Sequence, residues 1–265
     1  MPNSAKKQKH ILLVGNANVG KSTIFNLLCN KNQKTGNYAG VTVASHEGTY
    51  LYKDEEVEIV DLPGSYSIYP TSEDEAIFTK YLIEEQEKYS GVIYIADALN
   101  LKRSLLLYRQ IKDLGIPVLM VINQVDLAEK RGLHIDSKKL GELLGQNILE
   151  TNAKNNIGIE EIRESIFKDE FSVSDKPYFD IPSENLGLVF NISRQIEEKN
   201  FYKVWTLIAA DTYLGKLESV KTQLNQEDRK CMVPKRLQVQ ETIRRYQQID
   251  GIISQTISKK PQFKE

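Results

Sequence analysis

The sequence predicts an α/β protein: a mostly parallel six-stranded sheet with one antiparallel strand, followed by a small all-helical domain. Three observations carry this. Up to about residue 168, short apolar runs alternate with stretches of helical spacing, the pattern of parallel strands joined by crossover helices. A glycine-bounded octapeptide, Gly15-Asn16-Ala17-Asn18-Val19-Gly20-Lys21-Ser22, sits between the first such run and the first helical stretch. Beyond residue 169 the strand period disappears, Pro177 and Pro182 interrupt the chain, and only helical spacing follows.

Each element follows in order. Residues 1–9 are polar and basic and are expected to form a disordered tail. Residues 10–14 read as a buried strand and 22–30 as a helix. A glycine-bearing loop, 33–40, precedes two β-rich runs, 41–52 and 57–62, split by the turn Lys53-Asp54-Glu55. Their pairing as a hairpin supplies the antiparallel strand. Residues 73–89 are helical, entered through Ser72-Glu73-Asp74-Glu75 with capping-box spacing. Strands are expected at 92–96, 117–122 and 147–150, and helices at 101–114, 140–144 and 159–167. The α/β domain thus runs over 10–168, a linker over 169–182, and the helical domain over 183–265. Helical spacing covers 185–198, 202–213 and 235–258; in the last, Leu237, Ile243, Tyr246, Ile249, Ile253 and Ile257 make one apolar stripe expected to pack on the other helices.

Composition sets the bounds. The chain has 265 residues, 40% apolar and 27% charged, with a net charge of −1, so no long-range field draws it to nucleic acid. Cys29 and Cys231 are too few for a disulfide framework and fit a reducing compartment. No apolar run approaches the roughly 20 residues that cross a bilayer, and the start lacks the apolar segment of a secretory signal. The chain as written is expected to be cytosolic.

The octapeptide fits G-x-x-x-x-G-K-[ST], the phosphate-binding P-loop. Its glycines let the backbone curl until successive N–H groups point inward, and the following helix start adds partial positive charge, so the concavity suits a polyphosphate. Lys21 can reach the β- and γ-phosphates and Ser22, followed by Thr23, can ligate Mg²⁺. Asp61-Leu62-Pro63-Gly64 ends the third strand. There a carboxylate can hold a Mg²⁺ water, and a glycine N–H can approach a γ-phosphate. Asn123-Gln124-Val125-Asp126 ends the fifth strand, and the Asp126 carboxylate can accept from the N1–H and 2-amino group of guanine, a donor pair that adenine lacks. Thr151-Asn152-Ala153 follows the sixth strand, where a backbone N–H can meet the base O6. Thr42, in Gly40-Val41-Thr42-Val43, is placed to complete the Mg²⁺ shell when a γ-phosphate is present, making 33–45 a switch. Together these predict a P-loop GTPase fold.

Small signalling GTPases carry a glutamine after the D-x-x-G motif to orient the attacking water. Here Ser65, Tyr66 and Ser67 follow Gly64. Hydrolysis then needs another way to place the water and to neutralise charge, for which a monovalent cation is one candidate.

With these motifs in place the chain resembles the cytosolic N-terminal G-domain of the bacterial ferrous iron transport protein B family, over 10–260. Gly36-Asn37-Tyr38-Ala39-Gly40-Val41-Thr42-Val43 is similar to that family's first switch, Gly-Asn-Trp-Pro-Gly-Val-Thr-Val. Asp61-Leu62-Pro63-Gly64-Ser65-Tyr66-Ser67 is similar to its second, and Arg245-Tyr246-Gln247-Gln248-Ile249 to its last helix before the membrane portion. The resemblance implies a GTPase whose helical domain stabilises bound GDP, on the cytoplasmic face of the inner membrane, with GTP and its own membrane transport domain as partners. A second copy of the chain and small accessory iron-transport proteins are further implied partners. It also implies a K⁺ site at Asn18 with the backbone carbonyls of Gly36 and Tyr38. Ala17, Tyr38 and Ala39 depart from the family's proline, tryptophan and proline, and none of these changes removes a metal or base ligand.

The expected catalytic set is Asn18, Lys21, Thr42 and Gly64. Other readings stay open: a K⁺-dependent GTPase acting on the ribosome or tRNA, or a slow GTP/GDP switch without turnover. Glu73-Asp74-Glu75 reads as a helix cap in preference to an iron site, and His46 and His134 as lone surface or strand residues.

Overall fold

The computed structural model describes residues 8–29, 33–37, 44–222, 224 and 226–259. The strands are β1 (Gln8–Gly15), β2 (Gln33–Asn37), β3 (Ala44–Tyr52), β4 (Glu55–Asp61), β5 (Gly91–Asp97), β6 (Val118–Asn123), β7 (Leu133–Ile135), β8 (Ile148–Thr151) and β9 (Ile257–Lys259). The helices of the first part are α1 (Lys21–Cys29), α2 (Glu73–Glu84), α3 (Leu101–Asp113), α4 (Val125–Lys130), α5 (Ser137–Leu144) and α6 (Ile159–Phe167). Those of the second are α7 (Ser183–Gln195), α8 (Phe201–Ala209), α9 (Asp211–Leu214), α10 (Glu218–Lys221), α11 (Gln226–Cys231) and α12 (Pro234–Thr256).

The main sheet has the order β2-β3-β4-β1-β5-β6-β8. Only β3 runs against its neighbours; the β1–β4, β1–β5, β5–β6 and β6–β8 pairs are parallel. The expected mixed sheet is therefore present, with one addition. Residues 33–37, expected as loop, pair with β3 from Gln33 opposite Gly48 to Asn37 opposite Ala44 and add a seventh, edge strand. Their sequence, Gln-Lys-Thr-Gly-Asn, has no apolar residue to reveal a strand period.

Both faces of the sheet are covered, which is why its strands read as continuous apolar runs. Ile11, Leu13, Ile59, Ile93, Ile95, Leu119 and Val121 face α1 and α6. Their alternates, among them Leu12, Val14, Val60, Tyr94, Met120 and Ile122, face α2 and α3, and this core continues without a break to Leu188, Trp205, Leu237 and Ile249 of the helical part.

Three expectations are corrected. The first strand begins at Gln8, inside the expected 1–9 tail, because Lys9 is buried (3% exposed) and donates to the Ile166 and Phe167 carbonyls at 2.7 and 3.1 Å, capping the C-terminus of α6. The 169–182 linker is packed: Ser172 bridges to Val118, the Tyr178 N–H donates to Asp113 Oδ1 at 2.6 Å, and Phe179 is buried. The inner face of α12 is Leu237, Glu241, Arg245, Ile249 and Thr256, whereas Ile243 of the expected apolar stripe is 54% exposed. A side-chain tally by hydropathy overlooks a buried ion pair one turn apart. After α12 the chain turns into β9, which pairs with β7; three-residue strands carry no periodic signal. Among the described residues no helix is long and apolar enough to cross a membrane.

Candidate functional site

The expected phosphate loop leaves the end of β1 and enters α1. Gly15 is obligatory for space, since a Cβ there would lie 2.5 Å from the Ile95 carbonyl oxygen. Gly20 is obligatory for conformation and space, with φ +85° and a Cβ position 2.4 Å from Asn123 Nδ2. Asn18 holds φ 64°, a left-handed backbone that asparagine tolerates. Val19 is buried, whereas Ala17, Asn18, Ser22 and Thr23 are exposed, so the loop is anchored by its interior and presents its rim.

Lys21 Nζ is ion-paired with Asp61 Oδ1 at the end of β4. Burial pushes the Asp61 carboxyl above the usual carboxylate range, with Lys21 and, across the β3–β4 pair, His46 pulling the other way. The oxygen donors here, the Ser22 hydroxyl and the Asp61 carboxylate, are of the hard kind and few in number, which fits Mg²⁺ held largely by water and phosphate. Thr42 and Tyr38 lie outside the described residues, and Gly36 is the fourth residue of β2.

The motifs expected to read the base meet at Asn123. Its Nδ2 donates to the Val19 carbonyl at 2.9 Å, and its Oδ1 accepts from Thr151 Oγ1 at 3.0 Å and from the Ala153 N–H at 3.1 Å. An amide has two donor hydrogens and two acceptor lone pairs. Three of these four are used, and one N–H is left to offer to a ligand. Gln124, at φ 66°, donates from Nε2 to the Asn18 carbonyl at 3.3 Å, so consecutive side chains hold consecutive carbonyls of the phosphate loop. Asp126 stands in the first turn of α4 with its carboxylate half-buried and Lys130 3.6 Å away. Thr151, Asn152 and Ala153 are buried.

The structure thus brings Gly15–Thr23, Asp61, Gly64, Asn123, Gln124, Asp126 and 151–153 to the same edge of the sheet, at the C-terminal ends of β1, β4, β6 and β8. Ligands of open α/β sheets bind at this edge. The Ser72 cap is present, with the Glu75 N–H donating to Ser72 Oγ at 3.3 Å; the Glu75 carboxylate reaches back to the Thr71 N–H at 2.8 Å, one residue earlier than a capping box requires. His46 lies on β3 and His134 on β7.

Spacing arguments missed the residues that hold the segment 67–69. Gln110 on α3 accepts from the Ile68 N–H at 3.0 Å and Ser67 Oγ at 3.2 Å, and its Nε2 donates to Glu241 at 3.3 Å. Tyr69 Oη donates to the same glutamate. No sequence signal points to these, because each pairs residues far apart along the chain.

Comparison with known proteins points to one family. Residues 9–166 match the family model described as ferrous iron transport protein B. The Fe(2+) transporter FeoB of Leptospira biflexa is 44% identical over 164 residues, covering 62% of this chain and 24% of that protein. The chain therefore spans about a quarter of the length of the curated relatives it matches. Among solved structures, the cytosolic domain of L. pneumophila FeoB is 34% identical with a TM-score of 0.79, covering 95% of this chain and all (100%) of that one. A GDP form of the cytosolic domain of the T. maritima FeoB iron transporter is 25% identical with a TM-score of 0.80, covering 96% and 100%.

Proposed function

The chain belongs to the ferrous iron transport protein B family, and we propose that it is the GTP-hydrolysing module of an Fe²⁺ transporter, lying on the cytoplasmic face of the bacterial inner membrane. It regulates or drives Fe²⁺ uptake through a membrane part outside this sequence. The observation that carries the reading is Asn123, which ties the phosphate loop to the 151–153 loop and still has one amide N–H for a base. The GDP form of the T. maritima relative supports guanine as that base.

The reaction converts GTP and water to GDP and phosphate. Lys21 sets its ammonium against the β- and γ-phosphate oxygens, where charge grows in the transition state. Gly64 donates its N–H to the γ-phosphate. Asp126 selects guanine over adenine, with the remaining N–H of the Asn123 amide beside it, whereas the Ala153 N–H expected to meet the base donates to Asn123 Oδ1 at 3.1 Å. Ser22 and Thr42 would hold Mg²⁺ directly and Asp61 through water; when bound, the ion neutralises charge on the phosphate oxygens. Asn18, with the carbonyls of Gly36 and Tyr38, would hold K⁺ as a further positive charge beside the phosphates.

The test is steady-state GTP hydrolysis at matched ionic strength in KCl and in NaCl. The expected result is a clear rise in KCl that Asn18→Ala abolishes while GDP binding persists. Ser65 turns its hydroxyl to the Ser67 carbonyl at 2.8 Å, and no glutamine follows Gly64. That favours, as a second reading, a switch module without turnover, which equal and negligible rates in both salts would support.

A further inference from the structure

Asn16 is the second residue of the phosphate loop, yet its side chain is buried, 3% exposed. Its Nδ2 donates to the Ser65 carbonyl at 3.0 Å, and the Tyr94 hydroxyl lies 3.3 Å from its Oδ1. Tyr94 is itself fully buried, and its one hydroxyl hydrogen is shared between the Ser104 carbonyl at 2.6 Å and Asn16 Oδ1 at 3.3 Å. The Ser65 N–H donates in turn to the Gly15 carbonyl at 3.2 Å, and the Leu62 N–H to the Leu13 carbonyl at 3.1 Å. The peptide planes on both sides of Ser65 are thereby tied to the phosphate loop. One tie is backbone; the other is the Asn16 side chain. Just before them stands Gly64, packed so closely that a Cβ would lie 3.0 Å from the Ala17 nitrogen.

We propose that Asn16 is a positioning residue: it holds the Gly64–Ser65 segment against the phosphate loop, so that the Gly64 N–H is preset for a γ-phosphate and the site favours triphosphate over diphosphate. This rests on the GTPase reading above. The physical reason is entropic. Fixing a residue's backbone costs conformational entropy, and a segment already fixed in the fold does not lose that freedom when the nucleotide binds. A diphosphate has no γ-oxygen for Gly64 to meet and gains nothing from the arrangement. No residue spacing announces the role, because Asn16 and Ser65 are 49 positions apart.

The experiment measures affinity for fluorescent GDP and GMPPNP, and GTP turnover, for the protein and for Asn16→Ala and Asn16→Asp. Aspartate keeps the volume and, once ionised, offers no donor; measuring at alkaline pH keeps it ionised against the burial that raises a carboxyl. Both variants are expected to lower kcat and the GMPPNP-to-GDP affinity ratio about tenfold, the effect of one lost hydrogen bond of about 1.4 kcal/mol. A parallel loss for both nucleotides would mean that Asn16 only maintains the loop, and a wild-type ratio in Asn16→Asp would equally overturn the proposal. Tyr94→Phe, which removes only a hydroxyl, moves the ratio the same way by a smaller factor; should neither Asn16 variant fold, an unchanged ratio there counts against the proposal. A wild-type protein that neither binds GMPPNP nor hydrolyses GTP refutes the GTPase reading instead, and the two failures are distinct.

Discussion

Asn123 and Asp126 belong to one motif but carry unequal structural weight. Asn123 is 3% exposed and its loss leaves the Val19 carbonyl, the Thr151 hydroxyl and the Ala153 N–H without their partner. Asp126 has its carboxylate half-exposed, with the Lys130 ammonium 3.6 Å away across a helix turn. Asn123→Ala is therefore expected to destabilise the fold by about 2–3 kcal/mol, the cost of unpaired buried polar groups. Asp126→Ala is expected to change stability by less than about 0.5 kcal/mol and to abolish the preference for GTP over ATP. Urea unfolding and nucleotide competition measure the two effects. An Asp126→Ala protein that still strongly prefers GTP would show that guanine is read elsewhere. At this scale the sequence reveals which side chains end the strands but not what each touches. Asn123 is legible as a base reader and illegible as a staple, since its partners lie 104, 28 and 30 positions away.

Helix α12 shows the same limit one level up. Its existence follows from helical spacing, and its buried face does not, because two of the five inward residues are charged. Glu241 accepts from Tyr202 Oη and Trp205 Nε1, each at 2.8 Å, and from Arg245 Nε at 2.5 Å, while Arg245 Nη2 reaches Asp113 Oδ2 at 2.6 Å. The guanidinium also lies 4.9 Å from the Tyr202 ring centroid and 5.3 Å from that of Phe179. A buried arginine between two carboxylates is tolerable only while all three are present. Arg245→Met would leave Glu241 and Asp113 without their cation, and about 3–5 kcal/mol of stability should be lost, read as a lower urea midpoint at unchanged slope. A variant within 1 kcal/mol of wild type, on the scale of an exposed pair, would mean the network is held by the tyrosines and Trp205 alone. The strands were easier to read than this helix. With both sheet faces covered, an apolar run suffices to mark a strand, whereas an inward ion pair looks like surface in any periodicity argument. The edge strand β2 and the β7–β9 pair escape for the opposite reason: they are too short or too polar to carry a period.

At the scale of the whole molecule, the question is whether the two parts that the sequence separates behave as separate units. Proline content and the loss of strand period place a boundary near 169–182, but the packing crosses it. The apolar core that begins on the sheet at Leu12 and Tyr94 includes Phe179, Trp205 and Leu237. Trp205 Nε1 also lies 3.0 Å from Tyr69 Oη, four residues after Ser65. Trp205 is the one tryptophan of the chain, so its fluorescence reports the helical part and its seam with the sheet part, while far-ultraviolet circular dichroism reports both parts. A shared core predicts a single cooperative transition: the two probes should give coincident urea curves with one midpoint. Saturating GDP, bound at the sheet edge, should then move the tryptophan curve as far as the dichroism curve, by about 2.7 kcal/mol at a hundredfold excess over Kd. A tryptophan transition that separates from the dichroism curve and ignores GDP would show that the helical part folds as an independent domain, and the continuity of the core would then be packing without cooperativity.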